Sequence, residues 1–169
     1  MNKYTIVIGG TLLCFSFAAL AQSPTECSQV PDNLISNCGY ETGCFAGWAV
    51  TDSWTAQFEG GEVAHSGNFG LKFDPRDSVV QLGQGLATVA GQSYSLSFWL
   101  RTGQTANRVQ LWWNEDELVL DTMTDPDSPY QQIVIDGLVA SSDGTMFWLG
   151  FTNPDDSIYL DDFVVVPSE

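Results

Sequence analysis

The sequence has little positive charge. It contains 5 lysine and arginine residues against 21 aspartate and glutamate residues, which gives a formal net charge of −16 at pH 7. Nucleic acids and anionic membranes present negative phosphates, and these would repel such a chain. We therefore expect neither nucleic acid nor an anionic membrane surface as a partner.

Residues that usually carry catalysis are also scarce. His65 is the 1 histidine of the chain, so a Ser-His-Asp or Cys-His arrangement would have to use it. The sequence contains no G-x-S-x-G elbow, phosphate-binding loop or H-E-x-x-H motif. Carboxylate pairs for glycoside hydrolysis are available, but many of the acids fall in predicted turns, where solvent keeps their pKa values low. The sequence predicts that the protein is not an enzyme.

The N-terminal residues predict a signal peptide. Lys3 precedes an apolar run over residues 6–20, and Ala19-Leu20-Ala21 follows the pattern of a cleavage site. A basic start, a short apolar run and a small-residue ending are typical of secretory signals, and the run is short for a transmembrane anchor. We predict a signal peptide over residues 1–21, then one domain over residues 22–169 that is secreted to the extracellular space or the periplasm without membrane insertion.

Three cysteines follow the predicted signal peptide: Cys27, Cys38 and Cys44. Export favours a disulfide, and an odd number leaves one thiol over. The sequence leaves all three pairings open. The spare thiol offers a route to a covalent oligomer.

Strand patterns dominate the rest of the chain, and helical periodicity is nearly absent. Residues 94–101, 109–114 and 145–151 largely alternate between apolar and polar side chains, with turn residues between them. Shorter strands are predicted over residues 70–73, 79–82, 118–120, 132–135 and 158–166. Many short strands separated by turns predict an all-β sandwich or jelly roll.

The alternation also assigns faces to the three long strands, because successive side chains point to opposite sides of a sheet. Tyr94, Val109 and Phe147 begin the apolar faces, and a tryptophan lies on the opposite side of each strand. Aromatic planes beside amide and guanidinium donors suit sugar rings. We predict a ligand-binding face made of Trp99, Arg101, Gln110, Trp112, Asn114 and Trp148. The alternative is that this second face packs beneath a loop or a partner.

Three segments carry a family resemblance. Residues 33–43 read N-L-I-S-N-C-G-Y-E-T-G and are followed by Gly47-Trp48; residues 66–73 read S-G-N-F-G-L-K-F, and residues 159–163 read Y-L-D-D-F. Together they resemble the galactose-binding-like jelly rolls, which include many carbohydrate-binding modules, over essentially the whole predicted domain. The resemblance implies a two-sheet antiparallel β-sandwich. Tyr40 stands where the family usually has Phe, and two cysteines flank its turn.

The resemblance also implies a structural calcium ion. Carried over by position, its ligands are the carboxylates of Glu41 and Asp161 and the backbone carbonyls near Gly39, His65 and Asn68. Clustered carboxylate and carbonyl oxygens suit calcium. The alternative is that the two carboxylates accept hydrogen bonds from turn backbones.

These observations predict a secreted, non-catalytic domain that recognises a polysaccharide or other glycan through an aromatic face. The alternative is an extracellular structural or adhesive protein that self-associates or binds another protein.

Overall fold

The computed structural model describes residues 24–51, 53, 56–102, 107–114, 116–122, 129–153 and 156–168. The predicted signal peptide lies outside these residues. Two short 3-10 helices, Cys27–Gln29 and Gly61–Val63, accompany the strands, and the described part of the chain contains no α-helix. No helix in these ranges is long and apolar enough to cross a membrane.

The strands follow one another along the chain with turns between them. They are β1 (Ala49–Val50), β2 (Ala56–Glu59), β3 (Gly70–Phe73), β4 (Arg76–Leu86), β5 (Ser93–Thr102), β6 (Asn107–Trp113), β7 (Asp116–Thr122), β8 (Gln131–Val139), β9 (Thr145–Asn153) and β10 (Ile158–Pro167).

These strands form two five-stranded sheets. The first has the strand order β1-β4-β9-β6-β7 and the second the order β2-β3-β10-β5-β8. Neighbouring strands pair antiparallel, and strands distant in sequence lie side by side, as β3 and β10 do. This arrangement confirms the predicted two-sheet antiparallel β-sandwich of jelly-roll type.

The core lies between the sheets and follows the predicted alternation. On β5 every second side chain from Tyr94 to Leu100 is buried, and the residues between them are only partly buried. Val109 on β6 and Phe147 on β9 begin equally buried series. Trp48 is also buried. The sequence missed β1 and β2, which are short and lie at the edges of their sheets.

The N-terminal segment is fastened to the end of the chain. The Leu34 amide donates to the Val165 carbonyl, and the Asn33 side chain accepts from the Val165 amide and donates to the Phe163 carbonyl. Cys27 and Cys38 form a disulfide with a Cα–Cα distance of 6.0 Å. Of the three pairings that the sequence left open, the structure therefore contains Cys27–Cys38. The prediction of one spare thiol is wrong, because none of the described cysteines is free.

Candidate functional site

The six residues of the predicted ligand face divide between different places. Gln110, Trp112 and Trp148 lie on the outer face of the first sheet, on β6 and β9. Trp99 and Arg101 lie on β5, on the outer face of the second sheet. Asn114 follows β6 in a turn, where its side chain donates to the hydroxyl of Ser141.

Trp112 and Trp148 are direct partners in the β6–β9 ladder. Each lies against a glycine: a Cβ added at Gly83 would be 2.7 Å from Cδ2 of Trp148, and one at Gly150 would be 2.7 Å from Cζ3 of Trp112. Glycine leaves room for close approach because it carries no side chain. The two indoles therefore lie against the backbone of the sheet rather than standing away from it. We call this pair the tryptophan platform.

Amide side chains adjoin the tryptophan platform. Gln81 on β4 and Gln110 on β6 are the register partners of Gly150, one on each side of β9. Both glutamines are partly exposed. A primary amide both donates and accepts hydrogen bonds. The outer face of the first sheet thus combines aromatic side chains with amides that can donate and accept hydrogen bonds.

Trp99 is covered. The imidazole of His65 stacks on its indole with a centroid distance of 3.9 Å and an interplanar angle of 16°. Tyr130 makes a T-shaped contact with the same imidazole, at a centroid distance of 5.3 Å. For this tryptophan, the structure shows the packing beneath a loop that the sequence left as the alternative.

Arg101 holds the same region together. Its guanidinium carbon lies 3.9 Å from the centroid of the Tyr159 ring, which is a cation–π contact. Its Nη2 donates to the carbonyl of Glu62 at 2.7 Å. The side chain therefore fastens the 3-10 helix Gly61–Val63 to the second sheet.

The predicted calcium ligands also converge on this loop. The Glu41 carboxylate accepts from the amides of Asn68 and Phe69 at 2.8 and 2.9 Å. The Asp161 carboxylate accepts from the amides of His65 and Ser66 at 2.8 and 3.2 Å. Both carboxylates therefore accept hydrogen bonds from the backbone of one loop, residues 65–69.

Three residues were assigned to calcium through their backbone carbonyls: Gly39, His65 and Asn68. His65 and Asn68 present their amides to the carboxylates, and Gly39 packs against Thr25, whose Cγ2 would lie 2.6 Å from a Cβ added at Gly39. Thr25 is buried. The N-terminal segment thus closely approaches the turn that carries Glu41.

The surroundings of Asp161 disfavour its ionised form unless a cation lies nearby. Burial, followed by the charge of the adjacent Asp162, raises the pKa of Asp161 from 3.8 to about 8, and hydrogen bonds from backbone amides offset only part of this effect. A divalent cation beside the pair would favour the ionised form. The donor chemistry of this region therefore fits a hard cation.

A second group of potential metal ligands lies nearby. Glu26, His65 and Asp162 each offer one ligand atom, and these atoms lie within 4.8 Å of one another. From the sequence, His65 was expected to contribute only its carbonyl, and neither Glu26 nor Asp162 was expected to bind a metal. Asp162 stood beside a selected residue in the Y-L-D-D-F segment, whereas no motif marked Glu26.

A cavity of about 540 Å³ lies between the N-terminal segment and the turn that carries Glu41. Its lining includes Gly39 and Glu41, two of the predicted calcium ligands, and none of the predicted ligand-face residues.

Comparisons with solved structures confirm the resemblance at the level of the fold. The family 61 carbohydrate-binding module TmCBM61, solved with β-1,4-galactotriose, matches 80% of this chain and 99% of its own, with a TM-score of 0.66 and 18% identity. The CBM22-1 xylan-binding domain of Paenibacillus barcinonensis Xyn10C matches 80% of this chain and 94% of its own, with a TM-score of 0.60 and 13% identity. Both are carbohydrate-binding modules, so the β-sandwich is of the type that the sequence motifs indicate.

A third similar structure has another role. The K1 adhesin domain of Lys-gingipain from Porphyromonas gingivalis matches 78% of this chain and 96% of its own, with a TM-score of 0.59 and 15% identity. No protein-family model and no curated protein sequence matches the chain. These similarities define the fold, whereas the choice of ligand depends on the side chains of the site.

Proposed function

We propose that the protein is a secreted, non-catalytic carbohydrate-binding domain that holds a glycan against the tryptophan platform. The main support for this proposal is that Trp112 and Trp148 are paired across neighbouring strands and each lies against a glycine backbone. Partly exposed glutamines lie beside them. An indole plane packs against the apolar C–H face of a sugar ring, and amides bind its hydroxyl edge. The sugars bound by the similar modules support this class of ligand.

In this proposal the binding site is narrower than the six predicted residues. Gln110, Trp112 and Trp148 contact the glycan, together with Gln81. Trp99 and Arg101 instead hold the loop over the second sheet, and Asn114 holds a turn. The net charge of −16 favours a neutral glycan over an acidic one, because an acidic glycan would be repelled.

Binding to a panel of neutral polysaccharides by isothermal titration calorimetry tests the proposal. Trp112→Ala and Trp148→Ala should each weaken binding about tenfold or more, since central aromatic anchors dominate such interfaces. Trp99→Phe is the matched control and should bind normally, because it keeps an aromatic ring beneath His65 on the opposite sheet. Undiminished binding by both alanine variants would overturn the tryptophan platform as the site.

We also propose that a calcium ion stabilises the loop 65–69 through Glu41 and Asp161, with backbone carbonyls near Gly39, His65 and Asn68 completing its shell. Support comes from the two carboxylates that grip this loop and from the burial of Asp161 beside Asp162. Calcium should raise the melting temperature of chelator-treated protein, and Glu41→Gln should reduce the shift. Glu62→Gln, on an exposed residue outside this ligand set, should keep it. Equal melting with calcium and with chelator would contradict the calcium site.

An adhesive role is the second candidate, favoured by the shared fold of the gingipain adhesin domain. The edge strand β8 carries the exposed side chains of Val134 and Val139. Exposed apolar groups on an edge strand favour contact with another chain. Light scattering after size-exclusion chromatography separates the two functions: a stable dimer that Val134→Lys dissociates, without glycan binding, would support adhesion.

A further inference from the structure

Three metal-ligating side chains come together from distant parts of the chain. Glu26 belongs to the N-terminal segment, His65 to the loop before β3, and Asp162 to β10. Their ligand atoms lie within 4.8 Å of one another. The shortest separation is 2.8 Å, between Nδ1 of His65 and Oδ2 of Asp162. These three residues form the histidine cluster.

Hydrogen bonds hold two members of the histidine cluster in place. The Ser66 hydroxyl donates to Oδ2 of Asp162 at 2.6 Å and accepts from the Glu26 amide at 2.9 Å. The Cys27 amide donates to Oδ1 of Asp162 at 3.2 Å. Such support orients metal ligands before the ion arrives.

Aromatic contacts hold the imidazole of His65 in place. It stacks on Trp99 and makes a T-shaped contact with Tyr130. Because both aromatic contacts fix the ring plane, His65 keeps Nδ1 directed at Asp162. The ligand positions therefore depend on the tertiary structure rather than on mobile surface side chains.

The charge of the cluster is unbalanced. Asp162 is 2% exposed, and among the described residues its ion-pair partner is His65. Asp161, also buried, precedes it directly. Buried carboxylates are unfavourable unless they are paired with a cation or coordinate a metal.

We propose that the histidine cluster binds a zinc-type transition-metal ion through the side chains of Glu26, His65 and Asp162, whereas the proposed calcium ion uses the carboxylates of Glu41 and Asp161 and, at His65, only the backbone. Imidazole is a preferred ligand of zinc, copper and nickel, whereas calcium takes oxygen ligands. One nitrogen and two carboxylate oxygens leave a fourth tetrahedral position for water. The ion replaces the hydrogen bond between His65 and Asp162 and fastens the N-terminal segment to β10.

Zinc binding to the chelator-treated chain provides the first test. Zinc alone should raise the melting temperature by about 5 °C or more at saturation. Glu26→Gln should weaken zinc binding by more than about tenfold, and this exposed side chain can be changed without disturbing the fold. Glu62→Gln, the same charge change on an exposed residue outside the cluster, should leave zinc affinity unaltered.

Tryptophan fluorescence locates the ion. Copper(II) bound to His65 should quench the stacked Trp99, because the two ring centroids are only 3.9 Å apart. Quenching should fall sharply in Trp99→Phe and persist in Trp112→Phe, whose altered residue lies on the opposite sheet. His65→Gln should abolish the copper quenching. If the His65 variant does not fold, Glu26→Gln replaces it as the variant that tests the site.

Any of three results would overturn the proposal. The first is the absence of any zinc-dependent change in melting or heat of binding at submillimolar zinc. The second is zinc binding with the same affinity in Glu26→Gln and Glu62→Gln, and the third is copper quenching that Trp99→Phe does not reduce. None of these results bears on glycan binding, so failure here and failure of the proposed function are distinguishable.

Discussion

Trp112 lies across the backbone of Gly150 on the neighbouring strand, so closely that a Cβ added at Gly150 would be 2.7 Å from the indole Cζ3. Gly85 differs, since a Cβ there would meet only the Met146 sulfur, at 3.9 Å. The two glycines therefore allow a matched test of whether the flat position of Trp112 serves ligand binding.

Gly150→Ala should displace the Trp112 indole and weaken glycan binding about tenfold, because a displaced hot-spot aromatic ring no longer fits its ligand. Gly85→Ala should bind with normal affinity. Titration calorimetry gives the affinities, and far-ultraviolet circular dichroism checks that both variants keep their β-structure. Equal affinity in the two variants would show that the ring position does not matter.

Stability should depend on pH through Asp161. Burial, with a smaller effect of the Asp162 charge, raises its pKa from 3.8 to about 8. The folded chain therefore retains a proton that the unfolded chain releases above about pH 4. The stabilisation from this group is complete below that pH and is lost as the pH rises through about 8. In chelator, the melting temperature should fall between pH 5 and pH 8.

Asp161→Asn should flatten this pH dependence, although it also lowers stability by removing an acceptor of backbone amides. Asp77→Asn, on an exposed residue, should keep the slope of the original protein. A melting temperature of the original chain that does not change between pH 5 and pH 8 would contradict the raised pKa. Calorimetric melting at several pH values provides the measurement.

Tyr40 carries a buried hydroxyl without a hydrogen-bond partner among the described residues. Its ring packs in the core, 5.4 Å from Trp48 and 6.0 Å from Phe163. An unsatisfied buried polar group destabilises a fold by roughly 1–3 kcal/mol. Phe is the usual residue at this position in the galactose-binding-like jelly rolls that the sequence resembles. Tyr40→Phe should therefore raise the free energy of unfolding by about 1 kcal/mol.

Tyr94→Phe is the contrasting variant for urea denaturation. The Tyr94 hydroxyl accepts from the Val89 amide at 2.8 Å and donates to Gln92 at 3.1 Å, so its removal should destabilise the protein. The two tyrosine variants are expected to change stability in opposite directions. A loss of stability in Tyr40→Phe would mean that its hydroxyl has a partner.

The Cys27–Cys38 disulfide should stabilise the N-terminal segment. It joins residues 11 apart in sequence, and a loop of this size corresponds to about 3 kcal/mol of unfolded-state entropy. The paired variant Cys27→Ser, Cys38→Ser should melt roughly 6–12 °C lower. Peptide mapping under non-reducing conditions checks the pairing directly, and a Cys27–Cys44 peptide would refute it.

The sequence predicted most of the fold because its signals are local. Alternation placed Leu96, Phe98 and Leu100 in the core, and all three are buried there. The motif segments predicted the β-sandwich. Only the short edge strands β1 and β2 were not predicted, because strands of two and four residues show too little alternation.

The candidate site was predicted less completely. Trp99, Trp112 and Trp148 share the same pattern along their own strands, yet only the latter two are neighbours. Strand pairing is what separates them: β6 joins β9 in one sheet, and β5 joins β10 in the other. Glu26 could not be found at all from sequence, because its partner residues are distant along the chain.

By itself the sequence determined the class of fold, the faces of the long strands and the excess of negative charge. Those properties arise from side-chain alternation and composition, which each strand expresses without reference to the others. The tertiary structure alone decided which tryptophans form one platform, which cysteines pair, and that His65 covers Trp99 while meeting Asp162. These depend on contacts between distant segments, whose geometry exists only once both sheets are assembled.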